Sequence, residues 1–164
     1  MKKGAGSLLD SFRYAFRGLR YAVRTQRNMR IHISMAVLVS VFGLLYRLAP
    51  VEWIALYMTI TFVIVCELFN TAVENCVDTA TEEYSKYAEI AKDVAAGAVV
   101  VAALLAVIVA AFLFLDPARL GPAFGRLLSS PVCTVGVCVA TLLLLWWISR
   151  AKRGEVKRKE EDKE

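Results

Sequence analysis

The sequence contains a single histidine and four cysteines, none of them in a Cys-x-x-Cys pair. That set cannot complete a structural zinc site, so Cys66, Cys76, Cys133 and Cys138 read as small apolar residues and not as a framework. No Gly-x-x-x-x-Gly-Lys-Ser/Thr loop is present, nor the catalytic-loop Asp and Asp-Phe-Gly sequences of protein kinases. The soluble nucleotide-binding architectures built on those motifs are therefore set aside. Charge is also scarce: 21% of residues are charged against 58% hydrophobic, with a mean hydropathy of +0.54. A chain of 164 residues with that balance is a small integral membrane protein with little room for a separate soluble domain. The first ~30 residues are arginine-rich and lack a continuous apolar core, so no cleavable signal is expected.

The charge that is present lies near the two ends and sums to +5. That placement suits the cytoplasmic surface of a membrane, and no nucleic-acid partner is expected. Residues 7–27 carry an apolar face (Leu8, Phe12, Ala15, Phe16, Leu19, Ala22, Val23) opposite Arg13, Arg17, Arg20, Arg24 and Arg27. This pattern predicts an amphipathic surface helix, serving as an electrostatic anchor or also meeting phosphates from the cytosol.

Four candidate spans follow: Ile31–Leu48, Trp53–Asp78, Val94–Leu115 and a shorter Val132–Ile148. Each offers about the length needed to cross a bilayer core. Ala49-Pro50-Val51-Glu52 reads as the turn between the first two, and Asp116–Ser130 as a Gly/Pro-flanked outer connector. The basic N-terminal arm and the basic tail from Arg150 place both termini in the cytoplasm of a multi-pass plasma-membrane protein. The loop Thr79–Asp93 then faces the same side.

The second span ends in Glu67-Leu-Phe-Asn70-Thr71-Ala-Val-Glu74-Asn75-Cys-Val-Asp78. At ~100° per residue, positions 67, 70, 74 and 78 fall within an arc of roughly 80°. Ionisable groups are costly in hydrocarbon, so the stripe is either a polar packing face or a working one. A metal ion and a proton acceptor, both suited to carboxylates, together serve phosphoryl transfer. From Trp53, 14 residues rise about 21 Å, which puts Glu67 just beneath the cytoplasmic interface and Glu74 and Asp78 nearer water.

This block resembles the motif of the prokaryotic diacylglycerol kinase family. Glu83-Tyr84 with Ala91-Lys92-Asp93, and Phe12-Arg-Tyr14-Ala-Phe-Arg-Gly18-Leu-Arg20, are similar to two further family blocks. Arg27-Asn28-Met29-Arg30-Ile31-His32 resembles the Gram-positive branch, whose members phosphorylate undecaprenol. The resemblance spans roughly residues 7–116. It implies an all-α integral membrane kinase with a surface helix, three family-type spans and one additional C-terminal span. The expected divisions are 1–30, a kinase core at 31–116, connector and fourth helix at 117–149, and a charged tail at 150–164.

The resemblance further implies transfer of the γ-phosphoryl of Mg²⁺-ATP to a lipid alcohol, undecaprenol or alternatively diacylglycerol, in a homotrimer with shared sites. By motif, Glu67 would be the general base and Glu74 a metal ligand, with Asn70 and Asp78 in support. Tyr14, Gln26, Glu74, Glu83, Tyr84, Lys92 and Asp93 would bind ATP. Arg20, Asn28, Met29, Arg30 and Trp53 would border the lipid. His32 reads as an anchor with no acid–base role.

Three departures stand out. Gln26 occupies the place of a second metal-binding glutamate, so it brings an amide oxygen but no charge to Mg²⁺; a catalytically impaired paralogue is the competing reading. Ser85 stands where the family commonly has histidine. The fourth span is atypical, and reads as an anchor returning the C-terminus to the cytosol or as a helix packing around the assembly. A small ion channel, with the acidic stripe as its path, leaves Lys92-Asp93 poorly explained.

Overall fold

The computed structural model describes residues 8–80 and 85–161, with side chains described as far as Arg150. Its elements are helices: α1 (Leu8–Thr25), α2 (Arg27–Tyr46), α3 (Pro50–Ala80), α4 (Lys86–Phe114), α5 (Pro117–Ser129) and α6 (Pro131–Glu161). Four of them are long and apolar enough to cross a membrane: α2, α3, α4 and the Pro131–Arg150 part of α6. The all-α multi-pass architecture expected from hydropathy is present. Glu83 and Tyr84 lie outside the described residues.

The expected loop Thr79–Asp93 is helical up to Ala80 and again from Lys86, and two further expected boundaries differ, each for a local reason. The turn between the first spans is Arg47–Ala49, and Pro50 opens α3 instead of preceding it. Proline fits the first helical position because its fixed φ suits the helix and its missing N–H costs nothing there. Glu52 then accepts a hydrogen bond from the Ala49 N–H at 2.6 Å, the glutamate half of a capping box. On the other side, Arg47 adopts φ 58°, ψ 56°, and the Leu48 N–H returns to Gly43 O at 3.1 Å. That is a Schellman ending with a non-glycine residue in the left-handed position.

The second difference is α5, a helix where a connector was expected. Asp116 caps it, its carboxylate accepting from the Ala118 N–H at 2.9 Å, and Pro117 takes the first helical position. Pro122 inside it forfeits one intrahelical bond without breaking the helix.

The core lies at the α2–α3 turn, where α5 closes the end of the bundle. Tyr46, Leu48, Leu56, Phe114 and Ala123 are buried there, with Phe42 and Trp53 packed against them. Phe42 and Tyr46 each meet the Phe114 ring, at centroid distances of 5.2 and 5.4 Å. Arg119 of α5 donates to both Glu52 oxygens (2.7 and 3.0 Å) and to Arg47 O (3.1 Å), and lies 4.5 Å over the Tyr46 ring. Arg126 donates to Leu45 O. Both arginines thus serve carbonyls that the end of α2 leaves without intrahelical partners.

A Cβ built on Gly43 would stand 2.9 Å from Trp53 Cη2 and 3.0 Å from Leu48 Cδ1. Gly43→Ala should therefore destabilise the fold by about 1–3 kcal/mol, as overpacking does. Gly136→Ala, where the new Cβ meets nothing within 4 Å, is the control. It should be neutral or gain up to about 1 kcal/mol of helix propensity. Thermal unfolding of both variants in one detergent checks the contrast.

Candidate active site

The acidic stripe sits on the half of α3 remote from this core. Glu67 is 1% exposed, Asn70 5% and Thr71 4%, while Glu74 is half-buried and Asp78 lies in the open. The helix spacing thus sorts its carboxylates by burial along one face. Thr71 and Asn75 turn their donors back onto the α3 backbone, to Glu67 O at 2.9 Å and Thr71 O at 2.6 Å.

Glu74 is held by two amides. Asn70 Nδ2 donates to its Oε1 at 3.0 Å, and Gln26 Nε2 to its Oε2 at 3.4 Å. Gln26 is the single non-helical residue between α1 and α2, with φ −93° and ψ 120°, which lets it reach across to α3. Tyr21 reinforces this docking, its hydroxyl donating to Asn75 Oδ1 at 2.8 Å. Lys92, near the start of α4, pairs with Asp78 and ties the two helices across their connection.

Two polar atoms in the stripe, Glu67 Oε2 and Asn70 Oδ1, are buried and have no hydrogen-bond partner. Buried acceptors left open in this way are uncommon and call for a ligand or a water. Glu67 Oε2 lies 4.0 Å from His32 Nε2, beyond hydrogen-bonding distance. His32 in turn lines a cavity of about 230 Å³ between α2, α3 and α4, walled by residues such as Met35, Val39, Ile60, Val63 and Ala106. Val63, one helical turn from Glu67, and His32, 4.0 Å from its Oε2, both line this space, so the buried carboxylate lies just behind the cavity wall.

The structure brings together Gln26, Glu67, Asn70 and Glu74, and separately Asp78 with Lys92. Tyr14 and Arg20 are on the exposed surface of α1, and Asn28 and Asp93 are also exposed. Met29 is buried at 1%. Arg30 directs its guanidinium at backbone carbonyls of its own chain. Trp53, expected at the lipid, sits in the first turn of α3 with its ring stacked on Tyr57 at 5.5 Å. Fourteen residues of helix put it about 21 Å from Glu67.

The contact of Tyr21 with Asn75 and the approach of His32 to Glu67 were not expected. Both depend on how α1 and α2 dock on α3, which periodicity within one helix does not reveal. The four cysteines are free, as their spacing suggested.

The profile of the prokaryotic diacylglycerol kinases matches residues 13–114. The chain belongs to that family. It is 47% identical over 114 residues to a diacylglycerol kinase of Synechocystis, a match covering 69% of this chain and 65% of the relative. The chain thus spans somewhat under two thirds of that relative's length. It is 39% identical over 105 residues to the undecaprenol kinase of Bacillus subtilis, covering 64% of this chain and 85% of that one. No solved structure gives a significant match. The family match ends where α4 ends, so α5 and α6 lie beyond it.

The donor set suits a nucleotide-borne magnesium ion and not a self-sufficient metal cage. Among the described residues no cluster of three or more His, Cys, Asp or Glu could hold a metal. Mg²⁺ is commonly bound through one or two carboxylates together with substrate phosphates and water. Glu74, the open Asn70 Oδ1 and the Gln26 amide provide one carboxylate and neutral oxygens, which fits.

Proposed function

We propose that the protein is a membrane lipid kinase that transfers the γ-phosphoryl group of ATP to a lipid alcohol, undecaprenol ahead of diacylglycerol. The observation that carries this reading is the buried, unpartnered Glu67 Oε2, 4.0 Å from the His32 that lines an apolar cavity. An alcohol whose chain enters the cavity would present its hydroxyl to that oxygen. Glu67 takes the hydroxyl proton, the alcohol oxygen bonds to the γ-phosphorus, and the bond from that phosphorus to the β-bridging oxygen breaks to release ADP. Glu74 and Gln26 would hold Mg²⁺, which supplies charge neutralisation at the β- and γ-phosphate oxygens when bound.

Undecaprenol is favoured because its hydroxyl sits directly on hydrocarbon. Diacylglycerol brings ester carbonyls close to the hydroxyl. Among the cavity-lining residues, His32 and Thr59 are the polar ones, and the Thr59 hydroxyl already donates to Ala55 O at 2.8 Å. Unpaired polar groups of a ligand in such a space cost binding energy.

The nucleotide side is assigned to Lys92, Asp93, Glu83, Tyr84 and Tyr14, and the lipid border to Arg20 and Asn28, on the resemblance of their motifs. A cytoplasmic orientation, with both termini on that face, follows from the basic arm and tail. A homotrimer with shared sites would bring the exposed α1 residues to a neighbour's stripe. The apolar faces of α3 and α4, with Phe62, Phe69, Val101 and Phe112 exposed, leave surface for such packing.

Transfer of labelled phosphate from ATP to undecaprenol and to diacylglycerol, assayed side by side, tests the proposal. Incorporation into undecaprenol above diacylglycerol supports it; incorporation into neither overturns it. Gln26→Glu bears on the competing reading of impairment. A second carboxylate beside Glu74 should lower the Mg²⁺ concentration for half-maximal activity by roughly tenfold and raise turnover. Identical magnesium titrations of the two proteins would show that the amide already suffices.

A further inference from the structure

Arg30 is one turn into α2, yet its side chain folds back over the joint that carries Gln26. Its Nε donates to Val23 O at 2.8 Å and its Nη2 to Arg24 O at 2.7 Å. Both carbonyls belong to the last turn of α1, where the helix leaves its acceptors without intrahelical partners. The third nitrogen, Nη1, donates to Trp147 O of α6 at 3.2 Å, and the guanidinium lies 5.6 Å from the Trp147 ring centroid. One charged fork therefore fastens α1, α2 and α6 at a single point.

Gln26 lies between the two ends of that fork. It is the sole residue between α1 and α2, its N–H bonds Ala22 O at 2.8 Å, and its amide reaches Glu74 at 3.4 Å. Any rotation of α1 against α2 would swing Gln26 away from Glu74, and it would also break the bonds from Arg30. The contact is long for a hydrogen bond, so small movements of the joint decide whether it exists.

We propose that Arg30, braced by Trp147, is a positioning residue for the Gln26–Glu74 pair, and that the fourth span is thereby a working part of the kinase site. This rests on the reading of Glu74 and Gln26 as the magnesium-nucleotide side. The brace comes from outside the segment shared with the family, since Trp147 lies beyond residue 114. A charge-assisted bond together with a cation–π contact is a stiffer tether than hydrophobic packing, which supplies little drive between helices in lipid.

The test is a double-mutant cycle on the 164-residue chain. Trp147→Leu and Arg30→Lys are made alone and in a Gln26→Ala background. Binding of a non-hydrolysable ATP analogue with Mg²⁺ is measured by calorimetry, beside steady-state kinetics with undecaprenol. Each single variant should weaken Mg-nucleotide binding and raise its KM roughly three- to tenfold, with the lipid KM unchanged. Trp147→Phe should retain near wild-type binding. In the Gln26→Ala background, Trp147→Leu should add nothing.

Full additivity in that background would overturn the proposal, as would unchanged nucleotide binding in Trp147→Leu. A parallel loss of both KM values and of melting temperature, not rescued by phenylalanine, would reduce the contact to a fold brace and also overturn it. The calorimetric cycle stands even if neither lipid alcohol is phosphorylated, so failure of the kinase reading is distinguishable from failure of this one.

Discussion

Replacing Glu67 by glutamine should lower turnover by about 10²–10⁴-fold, the usual contribution of a positioned general base. Glutamine keeps the volume of the side chain, so a site that is 1% exposed suffers no cavity. What it loses is the capacity to take a proton at the position of Oε2, the atom the protein leaves unpartnered. The KM for Mg-ATP should stay close to wild type, because the contacts of Glu74 to Asn70 and Gln26 do not include Glu67. Steady-state kinetics paired with a melting curve check this. An active Glu67→Gln protein would remove Glu67 from the chemistry, whereas an inactive and unstable one would assign it to packing.

Glu74→Ala should be nearly as damaging, with a different pattern. The carboxylate is the single negative group in the site formed by Gln26, Asn70 and Glu74, and both of its oxygens receive amide donors. Its removal takes away the charge that would face the cation and leaves the Asn70 and Gln26 amides unpaired. Loss of one preorganised electrostatic contact of this kind costs about 10²–10³-fold. Part of the loss should return at high magnesium, which distinguishes it from Glu67→Gln, whose defect no magnesium concentration repairs. Magnesium titrations of both variants separate the two roles, and identical curves would dissolve the division of labour.

The stripe on α3 was legible from spacing because one helix carries all of it, and the 3.6-residue period fixes which side chains align. Its graded burial by protein, from Glu67 to Asp78, was not, since that depends on which helices pack against each turn of α3. His32 was not, since a lone imidazole near a span entrance gains meaning from the 4.0 Å that separates it from Glu67 on another helix. Arg30 is a similar case: its partners lie 6, 7 and 117 residues away in sequence, and no local pattern announces the last of them. The packing of Trp53 beside the α2–α3 turn is a third such case, since it follows from the close approach of its ring to Gly43 on another helix. The segment of α5 reads as a connector although Asp116-Pro117 is a sound start signal, because Gly and Pro flank it.

Thr59 spends its hydroxyl on its own helix, and the rest of the cavity wall beyond His32 is hydrocarbon. Dispersion contacts do not distinguish one methylene from the next, so such a wall has no mark against which a chain could be counted. On the proposed reading, a space of about 230 Å³ would take the head end of a long prenyl chain and leave the remainder among the lipids. On the proposed reading this protein is not a ruler. Short and long polyprenols would be handled alike, and fidelity of chain length would rest wholly with the enzyme that built the alcohol.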